Sequence, residues 1–482
     1  MTPTRRDVLR LLGLGAVAVA GAPGCSLLAG TPQPQLLTSR APLPKPYAVP
    51  LPVPEVARPV RSAGGADFYE LTERAAEVEV LPGLRTRVWG YGGTFPGPTI
   101  EARSGRRTVV KLVNQLSEPT VLHLHGGHTP PESDGFPTDL VAPGASREYV
   151  FPLEQRAATL WYHDHRMDYT GPQVWRGLAG MFLVRDAEEE ALPLPAGERD
   201  LPLLICDRSF EADGTMLYPG LEGRPGVREA YMGGVLGDVI LVNGAPWPEL
   251  RVSRARYRLR LCNASNARAY ELATGGPMIQ IGTDGGLLAQ PRTVRQLRLA
   301  PGERADVVID FSAYRLGQYV ELRNLAGEGA QGKVMRFAVD RDETDESSVP
   351  AWLSTVEPLD PGRAKVTRDF EFSNGGMGWL INGKPFDPKR MEARPRLGDI
   401  EVWRLTSDVA HPVHLHLDHF QVLSVNGERP KGPPEWKDTV ELRDAQTVEI
   451  VTRFTDYRGR YVLHCHNLEH EDMAMMAAFE VV

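Results

Sequence analysis

The sequence predicts an all-β chain built from three consecutive Greek-key β-sandwich domains. Three observations predict it. Glycine (48) and proline (41) are frequent, and between them lie short Val, Leu, Ile and Tyr runs rather than long apolar helical stripes. The 482 residues exceed what one hydrophobic core fills and fit about two to four domains. Most decisively, one set of three segments occurs three times in the same order, at a period of roughly 145 residues.

The first segment is an apolar start, a proline-bearing turn and an alternating strand. It reads FPGPTIEARSGRRTVVKLVNQL (95–116), LVNGAPWPELRVSRARYRLRLCNAS (241–265) and LINGKPFDPKRMEARPRLGDIEVWRLTS (380–407). The second reads APGASREYVF (142–151), APGERADVVIDF (300–311) and RDAQTVEIVTRF (443–454). The third reads ATLWYHDHR (158–166), LGQYVELRN (316–324) and RGRYVLHCHN (458–467). Three homologous β domains are therefore expected at 60–190, 195–345 and 365–482.

Two segments precede them. Residues 1–30 read as an export signal: paired Arg5 and Arg6, then an apolar run from Leu11 to Ala22 that is too short to span a bilayer comfortably. The arginine pair resembles a twin-arginine signal, which exports folded proteins to the periplasm or beyond. An ordinary secretory leader is the alternative. Cys25 follows GAPG, an imperfect lipoprotein box, so a lipid anchor there stays open. Residues 31–59 are dense in proline and read as an extended lead-in, partly packed on the first domain. The net charge of −8 and the lack of a basic stripe argue against a nucleic-acid partner.

The third repeated segment carries the chemistry. Domain 1 offers His163-Asp164-His165 there and domain 3 offers His464-Cys465-His466, while domain 2 offers only Leu322-Arg323-Asn324. Twelve histidines would give roughly 0.3 His-x-His pairs by chance, yet the chain has four: His123/His125, His163/His165, His414/His416 and His464/His466. On a strand, residues i and i+2 share a face, so four such pairs can aim eight imidazoles into one space. Eight neutral imidazoles suit a small cluster of copper ions. Two pairs come from each outer domain, which puts the cluster at the contact of domains 1 and 3, with domain 2 as a spacer. By the same parity Cys465 faces away from His464 and His466. It can ligate a separate copper with His411, His470 and a weak Met475, which describes a blue-copper site. His411 lies three residues before His414, an odd offset that also turns it away from the cluster, and Pro412 can bend this strand.

At these residues the chain resembles the multicopper oxidases. HLHGG, WYHDH, HPVHLH and HCHNLEHEDMAMM match that family's four copper motifs in order and spacing. Within it the chain is most similar to the bacterial spore-coat laccase and bilirubin oxidase group, on HLHGGHTPPESDGFP, WYHDHRMDYT, LVNGAPWPEL, NASNARAYEL and IQIGTDGGLL. The resemblance implies three cupredoxin domains and four copper ions. It implies a type 1 site of His411, Cys465, His470 and Met475, type 2 ligands His123 and His414, and type 3 ligands His125, His163, His165, His416, His464 and His466. It implies dioxygen and a small aromatic or phenolic reducing substrate, which meets the protein near His470, and a monomer is expected. It also makes Asp134 and Glu471 catalytic acids that relay protons. The implied activity is one-electron oxidation of phenols, aromatic amines or bilirubin-like pigments, coupled to reduction of dioxygen to water. Oxidation of Cu(I) or Mn(II) is an alternative, weakened by the lack of a methionine-rich tract. A non-catalytic copper-binding protein is a further one, weakened by the full ligand set.

Three departures and two remainders stand beside the resemblance. The spore-coat laccases carry a long acidic insertion before the first histidine motif, where this chain has only NQLSEPTVLHLH. A domain 2 disulfide of some relatives is not carried over; Cys206 and Cys262 read as buried free thiols, with a disulfide between them, which export would permit, as the alternative. Methionine as the axial ligand favours a moderate redox potential. His128 reads as a supporting or structural residue. His419 either supports His411, lines the substrate pocket or is packed structurally.

Overall fold

The structure, a computed structural model, describes residues 32–222, 224–376 and 378–482. The expected export signal, with Arg5, Arg6 and Cys25, lies outside the described residues. No helix among the described residues is long and apolar enough to cross a membrane.

Six of the sheets form three pairs, each pair drawn from one stretch of chain. The three repeated segments hold equivalent places in every pair. The alternating strand of the first segment is Arg107–Asn114, Arg256–Asn263 and Ile400–Ser407. Each pairs parallel with an earlier strand: Ala66–Val78, Asp200–Arg208 and Val366–Asn374. Each pairs antiparallel with the second segment, at Ser146–Phe151, Arg304–Asp310 and Thr447–Arg453. The third segment crosses to the opposing sheet as Ala158–Asp164, Tyr319–Asn324 and Gly459–Cys465. There it pairs antiparallel with Ala179–Arg185, Lys333–Arg341 and Met476–Val481. A parallel partner reached by crossing between sheets is the Greek-key wiring of the cupredoxin sandwich, and it occurs three times. Apolar side chains from facing sheets fill each core, around Tyr149 and Phe182 in the first domain, Leu259 and Phe337 in the second, and Trp403 and Phe479 in the third.

The lead-in departs from its expected course. Its proline-free piece Gln35–Leu37 pairs parallel with Val235–Gly237 of domain 2. Proline has no N–H to give a ladder, which keeps the paired stretches of the lead-in short. Further on, single bridges tie Pro50 to Glu249 of domain 2 and Val56 to Thr99 of domain 1. The lead-in therefore straps two domains rather than one.

Domains 1 and 2 share a buried ionic seam. Arg260, fully buried, donates to Asp200 at 2.7 Å and to Glu189 at 2.6 Å, while Arg258 donates to Glu189 at 2.7 Å. Thr159 of domain 1 donates to Asp306 of domain 2 at 2.7 Å. Buried charges persist only when paired in this way. Cys206 and Cys262 lie buried nearby as free thiols.

Candidate metal centre

Strand register brings the histidines together. Strand Leu122–His125 runs antiparallel to Ala158–Asp164, with His123 opposite His163. Strand His411–Leu415 runs antiparallel to Gly459–Cys465, with His414 opposite His464 and Val413 opposite Cys465. Directly opposed residues face the same side of a sheet. His165, His416 and His466 stand just past the strand ends and turn into the same space. All eight rings are at most 1% exposed.

Their nitrogens pass a test for metal. His123, His163, His414 and His464 each donate Nδ1–H to a backbone carbonyl, of Asp134 (2.6 Å), Asp164 (2.8 Å), Asp438 (2.9 Å) and Cys465 (3.0 Å). A protonated Nδ1 leaves Nε2 as a bare lone pair. Nε2 of His123, His163 and His414 has no partner although buried. Nε2 of His165 and of His416 each lie 3.2 Å from Nε2 of His464. Buried lone pairs converging on one another are satisfied by a cation and by little else. His125 is turned round: Nε2 lies 3.1 Å from Asp438 Oδ1 and 3.1 Å from Thr439 Oγ1, and Nδ1 is the free atom. The ring centroids of His125, His163 and His466 lie 4.9 to 5.8 Å apart and those of His165, His416 and His464 4.8 to 5.3 Å apart, with the centroids of His123 and His414 separated by 5.6 Å. Burial pushes His163 down to about 3 and His165 to about 4, so these two are neutral and ligand-ready at pH 7.

A second donor set lies on the other side of strand Gly459–Cys465. Cys465 Sγ is 3.5 Å from His411 Nδ1 and 3.7 Å from His470 Nδ1, and those two nitrogens are 3.1 Å apart. Nε2 of His411 faces Asp408 at 3.3 Å, which leaves Nδ1 for a ligand. Met475 is fully buried; its carbonyl accepts from Cys465 N (3.1 Å) and its amide donates to the His470 carbonyl (3.0 Å). Burial pushes the Cys465 thiol up, so a thiolate here depends on a bound cation. One thiolate and two imidazoles at trigonal spacing suit copper.

The two acids are buried rather than loop carboxylates in water. Asp134 accepts from His416 Nδ1 at 2.8 Å, and its carbonyl takes His123 Nδ1–H. Burial pushes its carboxyl well above the ordinary range. Glu471 faces His464 Nδ1 at 3.2 Å and His165 Nδ1 at 3.6 Å, and accepts from the Thr170 hydroxyl at 2.7 Å. Burial opposes its charge, but the His165 and His464 imidazoles beside it hold its carboxyl well below the usual range.

Three functional side chains escape sequence reasoning. The Trp379 ring stacks on His470 at 3.8 Å and meets His411 edge-on at 5.3 Å, while its indole N–H donates to the Met232 carbonyl at 3.0 Å. Its sequence signal is weak: a tryptophan just before the third copy of the first segment. Asp438 and Arg304 pair through both oxygens at 2.7 and 2.5 Å beneath His125. Burial works against the Asp438 charge, but Arg304 and then His125 hold its carboxyl well below the usual range. Arg304 belongs to domain 2, which thus does more than space its neighbours.

His128 and His419 stand outside both donor sets. His419 Nε2 is 3.6 Å from Asp438 Oδ2. His128 of domain 1 bridges Asp418 (3.2 Å) and Asp456 (3.1 Å) of domain 3.

Buried neutral imidazoles around one space, and a cysteine–histidine set one residue away along a strand, define a class: copper proteins with a mononuclear and a multinuclear centre. Comparison with known proteins supports it. Multicopper oxidase family models match residues 73–189, 226–338 and 356–482. The laccase of Bacillus subtilis is 36% identical over 89% of this chain and 97% of its own length. The bilirubin oxidase of Albifimbria verrucaria is 36% identical over 90% of this chain and 81% of its own. The crystal structure of a laccase from Pediococcus acidilactici superposes with a TM-score of 0.84 at 32% identity, covering 93% of this chain and 96% of that one. The chain belongs to the multicopper oxidase family. It is an oxidoreductase, its cofactor is copper, and four ions are the family's complement.

The His128 clasp yields a pH prediction. Burial lowers its pKa, but Asp418 and Asp456 outweigh this and raise it to about 9. A free imidazole titrates near about 6.5, so the clasp's stabilisation is complete below that pH and is lost as pH rises through about 9. His128→Gln should cost about 1–3 kcal/mol at pH 6 and flatten that part of the stability profile. Denaturant unfolding of both proteins from pH 6 to pH 10 checks it; parallel profiles contradict it.

Proposed function

We propose that the protein is a laccase-type oxidase. It oxidises phenols, aromatic amines or bilirubin-like pigments one electron at a time and reduces dioxygen to water with four. The carrying observation is the alternation at His464-Cys465-His466: the sulfur belongs to one donor set and both flanking imidazoles to the other. In this reading His411, Cys465, His470 and Met475 hold the type 1 ion. His123 and His414 hold the type 2 ion, and His125, His163, His165, His416, His464 and His466 hold the type 3 pair. When bound, copper would supply a one-electron acceptor at the first centre and, from the three ions of the second together with the one of the first, the four electrons that dioxygen needs.

The chain's own residues do the rest. Cys465 and its two neighbours link the donor sets by a few covalent bonds, the shortest route the fold offers between them. Trp379 and the Met232–Gly233 segment cover His470, which is 2% exposed, and keep water from the ligand set. The reducing substrate approaches over this thin cover. Asp134 holds His416 in the Nε2-ligand tautomer, and Glu471 stands beside Nδ1 of His464, whose proton goes to the Cys465 carbonyl. Both carboxyls also lie where protons are consumed, and Thr170 extends the Glu471 chain by one hydroxyl.

Two measurements test this reading. Oxygen uptake by the copper-loaded protein should be supported by a phenol and by bilirubin. Uptake with Cu(I) but with neither organic reductant, or no uptake with any of the three, removes the laccase reading. Glu471→Gln and Asp134→Asn should slow reoxidation of the reduced protein by dioxygen by about 100-fold or more. Bleaching of the blue colour by substrate should keep its rate. Unchanged reoxidation in both variants removes the proton role.

A further inference from the structure

His125 is bound differently from its neighbours. Four rings of the cluster rest Nδ1–H on backbone carbonyls, which any strand can supply. His125 instead directs Nε2 at a carboxylate oxygen, Oδ1 of Asp438, at 3.1 Å. A carboxylate only accepts, so Nε2 carries the proton and the unpartnered Nδ1 is the lone pair.

The carboxylate is itself aimed. Arg304 donates Nη1–H to Oδ1 at 2.7 Å and Nη2–H to Oδ2 at 2.5 Å, a two-pronged grip. The guanidinium is fully buried and has no slack. Its Nε donates to the Thr159 carbonyl of domain 1 at 2.9 Å, and Nη1 also reaches the Gly302 carbonyl of its own loop at 3.0 Å. The Arg304 amide donates to Asp284 at 2.7 Å, and Lys437 of domain 3 pairs with Asp284 (2.9 Å) and Glu303 (3.1 Å). One side chain from domain 2 thus touches domains 1, 2 and 3. The preceding loop also abuts the cluster. Gly302 has φ +85, and a Cβ there would lie 3.0 Å from His466 Cδ2 and 3.1 Å from His125 Cε1.

We propose that Arg304, acting through Asp438, is a positioning residue that fixes His125 as an Nδ1 ligand, so that domain 2 completes the cluster it supplies no ligand to. This rests on the cluster reading above. Lysine carries the charge but only as a point, without the fork that fixes the carboxylate plane, so Arg304→Lys should not rescue. Asp438→Asn keeps the shape, but its NH2 cannot accept from Arg304 Nη2, so the two-pronged grip is lost.

The test compares wild type, Arg304→Lys and Asp438→Asn after copper loading. Blue absorption, the near-ultraviolet band of the coupled type 3 pair, the type 2 electron paramagnetic resonance signal, copper per chain and the unfolding midpoint of the metal-free protein are measured. Both variants should keep the blue absorption, lose the near-ultraviolet band, and bind cluster copper about 10- to 100-fold more weakly, and a fall in the metal-free midpoint should leave the blue centre intact. An intact near-ultraviolet band and full copper in the variants overturn the proposal alone. So does loss of every signal together with a lowered midpoint, which assigns the pair to general packing. Wild-type protein that holds copper without the near-ultraviolet band overturns the cluster reading, and the proposal with it.

Discussion

The structure turns on one constraint: eight imidazole lone pairs are buried together at the contact of the first and third sandwiches. Neutral imidazoles in a dry space cannot satisfy one another, because each needs a proton or a metal at its free nitrogen. The fold settles the tautomers by backbone carbonyls at four rings and by carboxylates at others. What remains is a set of inward lone pairs that only cations complete. Burial holds His123 and His416 well below the ordinary imidazole range and so in the neutral form, which is the one that binds metal.

The same constraint explains the middle sandwich. A cluster built from two domains is only as rigid as their contact. Domain 2 is fastened to domain 1 by the buried Arg258–Arg260 seam and to domain 3 by the Asp284, Glu303 and Arg304 group. Between domains 1 and 3 directly, His128 adds a charged clasp, and Asp472 accepts from the backbone amides of Thr170 and Gly171 at 2.8 Å. These contacts lie around the histidines rather than far from them, so docking the domains and shaping the donor set are one event.

Much of this was legible in the chain, for a physical reason. Strand parity is local: His-x-His on a strand shares a face whatever the rest of the protein does, and Cys465 between His464 and His466 must face the other way. The three repeated segments were legible because each strand carries its own alternation and turn. Other features rest on distant partners that no local pattern encodes. Arg304 meets Asp438 across 134 positions, and Trp379 finds the Met232 carbonyl across 147. His128 meets Asp456 across 328. The lead-in was read from its prolines, while its pairing partners, Val235–Gly237 and Glu249 of domain 2 and Thr99 of domain 1, lie far along the chain. Asp134 and Glu471 were named from resemblance, and their burial and hydrogen bonds come from the structure alone.

The central claim is that two copper centres share one strand through Cys465 and its neighbours. Copper analysis and optical spectra of Cys465→Ser test it most directly. The account predicts a colourless protein that retains about three copper ions per chain against about four in the parent, with the near-ultraviolet band of the pair intact. A variant that stays blue, or one that sheds the cluster copper along with the mononuclear ion, contradicts it.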